Sequence, residues 1–191
     1  MKNCVAGLAV AFAMLGLALA QENPPAGWAY SRQTDALRGT AFDQFMIQGE
    51  YIDSPSLAGK VPRMVVQCSD GRFKEGFLDV GAVVQSGESS EGVTRSLKGR
   101  TQAFVYMRSE NREKPVKMLW EISNDGQALF FSKMYMGLIL TGRKIGGRAS
   151  NTDSLVHEQI FGVTEAFGNQ VTMRFNMPTD STRLVESCGL R

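Results

Sequence analysis

Two cysteines 120 residues apart place the strongest constraint on this chain: Cys68 ends an alternating apolar run, and Cys188 lies just before the C-terminal Arg191. A bond between them would close most of the sequence into one loop, so the strand ending at Cys68 and the last residues would have to meet in space. Whether they bond depends on the compartment, and the N-terminus bears on that. Lys2 supplies a short positive n-region, residues 5–19 are apolar and uncharged, and Ala18-Leu19-Ala20 puts small residues where a signal peptidase reads. The expectation is a signal peptide over residues 1–20, cleaved before Gln21, and a single β-rich domain over residues 21–191. The apolar run is short for a membrane span and is followed at once by Gln21-Glu22-Asn23-Pro24-Pro25, so no span is expected after cleavage.

Of the three cysteines, Cys4 precedes the apolar run and would leave with it; a lipoprotein cysteine would sit at its end. Cys68 and Cys188 then remain in an oxidising space, where thiols of suitable geometry pair. In the chain-entropy model a link across so long a loop is worth about 5 kcal/mol. A redox pair or a thiolate metal site is poorly supported, because neither cysteine belongs to a CxxC and the chain holds a single histidine.

Strand periodicity dominates the mature chain. From Arg63, Met64, Val66 and Cys68 point one way and Arg63, Val65 and Gln67 the other. Ser69-Asp70-Gly71 predicts a hairpin turn, because Asp-Gly tolerates positive backbone angles, and residues 72–84 read as its return strand, bent at Gly76 or Gly81. Residues 41–52 read as one buried strand after a loose segment carrying Trp28 and Tyr30. Residues 101–108, 116–123 and 127–131 give further strands, the last two joined by Asn124-Asp125-Gly126. Residues 132–141 fit either period, and a short helix or irregular crossing is preferred. Residues 157–164 and 170–177 form a closing hairpin around Ala166-Phe167-Gly168-Asn169. After Pro178, Thr179 or Asp180 can cap a final helix on which Leu184 and Cys188 share a face, with Gly189 as its stop. The expected fold class is mainly β: an antiparallel β-sandwich or barrel-like sheet with a short C-terminal helix and one disulfide, Cys68 to Cys188. With 43% hydrophobic residues the chain can bury a core of its own, and a net charge of +2 gives no strong pull toward nucleic acid or anionic lipid.

No catalytic motif stands out. There is no GxSxG elbow, and no serine is followed three residues later by lysine. His157 has no partner that spacing can nominate, and a packed or surface role suits it better than that of a base. Met134 and Met136 could suggest a copper site, but methionine as adaptable core filler fits their place on alternating rows. Glu88 and Glu91 resemble a carboxylate pair, yet flanking Ser and Gly favour a solvated loop. Arg143, Lys144 and Arg148 stand among glycines and could hold a phosphate or polyanion, although the P-loop order is missing and a solvated basic loop suits them. These residues and Trp28 are the candidate binding residues; no catalytic residue, metal ligand or cofactor is assigned.

Trp28 near the mature start, Pro62-Arg63-Met64-Val65-Val66-Gln67-Cys68, Val105-Tyr106-Met107-Arg108, Trp120-Glu121-Ile122-Ser123-Asn124-Asp125-Gly126-Gln127-Ala128-Leu129-Phe130, and Val171 to Met177 leading to Cys188-Gly189 belong together. In order and spacing they resemble the VasI/EvfG/TagO family of exported proteins associated with type VI secretion. The resemblance covers most of the mature chain, which departs from it by extra length between Gly137 and Gln159. It implies a small periplasmic or secreted accessory protein of the cell envelope and carries over no catalytic residues.

The function expected is therefore that of a non-enzymatic envelope accessory or binding module, meeting an envelope protein partner through residues 85–99 and 142–151. Two alternatives stand beside it. One is a periplasmic inhibitor of an envelope hydrolase such as lysozyme; the other is a carbohydrate-binding protein or enzyme using Trp28, Trp120 and exposed carboxylates.

Overall fold

The structure, a computed structural model, describes residues 27–34, 40–85, 101–109, 114–141 and 158–190. The Asp-Gly turn forms as its residues dictate: Asp70 (φ 54°) and Gly71 (φ 68°) both take left-handed angles, setting Ser69 opposite Arg72. Among the described residues the strands are β1 (Ala29–Thr34), β2 (Ala41–Gln48), β3 (Glu50–Ile52), β4 (Arg63–Ser69), β5 (Arg72–Asp79), β6 (Gln102–Ser109), β7 (Val116–Ile122), β8 (Ala128–Phe131), β9 (Glu158–Thr164) and β10 (Gln170–Asn176). The helices are α1 (Lys133–Thr141) and α2 (Thr182–Cys188).

The strands form one antiparallel sheet in the order β1-β2-β4-β5-β8-β7-β6-β9-β10-β3. β3 continues β2 through the single residue Gly49, so the two are one bent strand, paired with β4 on one side and with β10 on the other. That bend brings the far end of the sheet back to its beginning and gives the barrel-like form expected from the alternating pattern. Residues 41–52, read as one strand, are thus two segments that share a chain direction and exchange partners.

Alternation fills the interior. Phe45, Met64, Val66, Leu78, Val105, Leu129, Phe161, Val163, Met173 and Phe175 are buried. Trp120 sits in an aromatic cluster, its ring 4.9 Å from Tyr135, 5.5 Å from Phe131 and 5.8 Å from Phe161. The segment after β8 is a helix. Its first turn is capped by Ser132, whose Oγ accepts the Tyr135 N–H at 3.3 Å, and Tyr135, Met136 and Ile139 turn into the core. The Tyr135 hydroxyl meets Met107 Sδ at 2.8 Å, and complete burial pushes its ionisation well above the ordinary tyrosine value.

The return strand from Arg72 ends at Asp79 and does not reach Val84, because Gly81 (φ 66°) turns the chain out of the sheet. Residues 80–85 instead cross one end of the barrel, with Val80 N–H donating to Gln127 O at 2.8 Å, Val84 N–H to Gly126 O at 2.9 Å and Gln85 N–H to Thr164 O at 2.8 Å. The Asn124-Asp125-Gly126 turn beneath this crossing is held by the Asp125 carboxylate. It accepts from the Ser123 hydroxyl and the Gln127 N–H, which lower its pKa below the usual carboxylate range.

α2 packs against β4 and β5. The Asp180 carboxylate accepts the Thr182 N–H at 2.9 Å at its start, and Gly189 (φ 55°) ends it. Leu184 and Cys188 are buried on one face, and Cys188 is bonded to Cys68 with Cα atoms 5.1 Å apart, well within the span a disulfide accepts. The expected staple between an inward strand row and a C-terminal helix is present. No helix among the described residues is long and apolar enough to cross a membrane.

Candidate functional site

Two of the aromatic side chains considered for binding serve the fold. Trp28 is half-buried and its indole N–H donates to Ser181 Oγ at 3.0 Å, tying the start of β1 to the approach to α2. Tyr30 adds to the same seam, its hydroxyl donating to Asp43 at 2.8 Å while the Arg183 guanidinium lies 3.4 Å above its ring. Trp120 is 5% exposed and enclosed by its aromatic neighbours, so no sugar could stack on it without opening the core. Met136 is wholly buried while Met134 is 69% exposed, so the two thioethers point to different environments and do not form a pair. Among the described residues no group of His, Cys, Asp or Glu side chains has the arrangement of a metal site. Glu88, Glu91, Arg143, Lys144, Arg148 and His157 lie outside the described residues.

The surface carries two features that residue types alone did not announce, both at the barrel end crossed by residues 80–85. The first is the tip of the β9–β10 hairpin. Glu165 N–H donates to Asn169 O at 2.9 Å, the Asn169 side-chain amide meets the Glu165 carboxylate, and Gly168 (φ 90°) completes the turn. These bonds fix a turn whose outermost side chain is Phe167, 90% exposed. Val83, 48% exposed, lies beside it, because the Ala166 N–H donates to the Val83 carbonyl at 2.8 Å. The sequence did hold a signal here, an aromatic within a Gly-Asn turn with no strand row to join.

The second feature is a groove of about 610 Å³ between β3 and the 3-10 turn Pro55–Leu57 with the residues after it. Tyr51 lines it and donates its hydroxyl to the Val80 carbonyl at 2.7 Å, and Lys60 reaches over to the Gly81 carbonyl at 2.7 Å. Burial, reinforced by the negative charge of Asp79, pushes the Tyr51 pKa up to about 12, so the hydroxyl keeps its proton into the alkaline range, above the ordinary value of 10.0. Glu50, which lines the groove, is paired with Arg174 at 3.0 Å, and Arg174 also reaches Glu158 at 3.2 Å.

An exposed apolar tip and an open groove on a rigid frame are the means of a recognition surface. Comparison with known proteins adds no name to this geometry: no family model matches the chain, and neither a curated protein nor a solved structure does.

Proposed function

We propose that this chain is an exported binding or accessory protein of the cell envelope, non-enzymatic, acting through surface complementarity on a disulfide-fixed barrel. The observation that carries the reading is Phe167, 90% exposed at the tip of a turn held by its own hydrogen bonds, with Val83 beside it. A large side chain held out in water on a fixed turn contributes nothing to the core, whereas aromatic residues of this kind serve as anchors in protein interfaces. Gln85, the first residue of the stretch 85–99 named from the sequence as a contact region, lies at this same end, its N–H donating to Thr164 O at 2.8 Å; residues 86–99 lie outside the described residues. The buried Cys68–Cys188 bond supports the oxidising compartment, since such bonds persist outside the reducing cytosol. The resemblance to the VasI/EvfG/TagO family makes the type VI secretion envelope the setting in which the partner is to be sought.

The same tip favours a second reading, inhibition of an envelope hydrolase, because a protruding Phe on a fixed turn has the form of a wedge. Crosslinked capture from envelope extracts with wild type and Phe167→Ser tests the first. Titration of the protein into a lysozyme assay tests the second, and a one-to-one loss of turnover would favour it.

A further inference from the structure

Beyond Gly49 the bent strand loses its partner on one side. The β2·β4 ladder runs to Gln48 opposite Arg63, and the Gly49 N–H then donates to the Pro62 carbonyl at 2.9 Å. Continued by the antiparallel rule, the next hydrogen-bonded pair on this side would be Tyr51 with Lys60. The Lys60 N–H donates instead to the Leu57 carbonyl at 3.0 Å, so the 3-10 turn draws that segment away from the sheet. On the opposite side β3 stays paired with β10, Glu50 against Arg174 and Ile52 against Thr172, with the Thr172 N–H reaching Ser54 Oγ at 3.3 Å. Strand alternation then directs the main-chain groups of Glu50 and Ile52 towards β10 and those of Tyr51 into the gap.

The gap is the groove of about 610 Å³, with Gly49, Tyr51 and Asp53 on one wall and Pro55, Lys60 and Val61 on the other. A bare strand edge beside a groove of this size is a template for one more strand. Two observations define what would fill it. Val61, 42% exposed, offers apolar contact. Of the charged groups that line it, Glu50 is paired with Arg174 at 3.0 Å and Lys60 donates to the Gly81 carbonyl, which leaves the Asp53 carboxylate as the one for a cationic side chain to meet.

We propose that this groove receives an extended peptide segment of the partner protein, added to the free edge of β3 through the main chain of Tyr51, with a lysine or arginine of the peptide against Asp53. The proposal rests on the binding-module reading and names its partner chemistry. The groove and Phe167 lie at one end of the barrel, since Tyr51 and Lys60 both bond to the 80–85 crossing that also holds Ala166.

The test uses the oxidised, isotope-labelled mature protein and synthetic peptides of about six residues, an ordinary strand length, alternating Val and Thr around a central Lys, Ala or Glu. The Lys peptide is expected to shift the amide signals of residues 49–61 and to slow exchange at the Tyr51 amide. The Glu peptide should bind at least about tenfold more weakly. Methylating alternate peptide nitrogens should abolish binding, because strand addition needs those donors. Asp53→Lys should reverse the Lys-over-Glu ranking. Asp53→Asn, which tolerates the left-handed angle at this position (φ 54°), should level it. No shift at residues 49–61 with any peptide at about 1 mM, the weak end of specific recognition, would overturn the proposal. So would indifference to nitrogen methylation, or a ranking unmoved by both variants. Partner capture that Phe167→Ser abolishes, alongside a silent groove, would overturn strand addition and leave the binding module standing; absence of both would remove the two together.

Discussion

Gly49 lies directly against Arg174: a Cβ on Gly49 would stand 2.5 Å from the Arg174 carbonyl oxygen and 2.8 Å from the Phe175 ring. The barrel closes at this contact, because here the chain passes from the β4 ladder to the β10 ladder. No other residue type fits without moving a backbone. Gly49→Ala is expected to destabilise by about 1–3 kcal/mol, the usual range for forced overpacking, as a lowered urea midpoint. Gly27→Ala, whose added methyl would have nothing within 4 Å, is the control and should change stability by less than about 0.5 kcal/mol.

The Cys68–Cys188 bond holds α2 where Gly189 approaches the β4–β5 turn, a Cβ on Gly189 falling 2.7 Å from the Gly71 carbonyl. Replacing both cysteines by alanine should cost about 2–5 kcal/mol. Hydrogen exchange should show the loss first in α2, which has few other contacts to the sheet, and later in β4 and β5.

Tyr51 sets an alkaline limit. Its folded pKa is raised from 10.0 to about 12, by burial first and by Asp79 second, so the native state holds the phenolic proton more tightly than the unfolded chain. The stability it contributes is complete below about pH 10 and is lost as the pH rises from 10 to 12. The fully buried Tyr135 acts in the same direction. Urea midpoints measured across that window should fall for wild type and fall less for Tyr51→Phe. That variant should also lose about 1 kcal/mol at neutral pH, because the Val80 carbonyl loses its donor.

Phe167 separates recognition from stability. At 90% exposure its replacement by serine should leave the urea midpoint within about 0.5 kcal/mol of wild type, while crosslinking to an envelope partner should fall sharply. A variant that unfolds, or one that still captures its partner fully, would assign the side chain a different role.

Much of this fold was legible in the sequence wherever a physical signal is local. The Asp70-Gly71 turn, the inward row of Met64, Val66 and Cys68, the Gly189 stop and the pairing of Cys68 with Cys188 follow from angles, alternation and compartment. The bend at Gly49 leaves no such mark, because Phe45, Ile47 and Tyr51 keep one parity across it while the pairing partner changes. Val65 shows the same limit. It points away from the core row yet is buried, because Met46 and Phe77 are set opposite it and Phe130 stands beyond Phe77, which depends on register between strands far apart in sequence. The sequence reads Gly81 as a bend within the strand; that the strand ends before it follows from the hydrogen bonds of Val80 and Val84 to the turn at Gly126.

The site was legible to a lesser degree. Loops named for their charge, at Glu88 and Glu91 and from Arg143 to Arg148, fall outside the described residues, and Trp28 proved to be a seam residue. Phe167 and the β3 edge draw their meaning from exposure and from a missing neighbour, properties that composition does not encode.

The most direct test of the account is the intact mass of protein recovered from the oxidising compartment, denatured and alkylated with and without prior reduction. An exported, stapled barrel predicts a chain beginning at Gln21 that takes no adduct before reduction and two after it, at Cys68 and Cys188. A chain still carrying Cys4, or one alkylated at both cysteines without reduction, would contradict it.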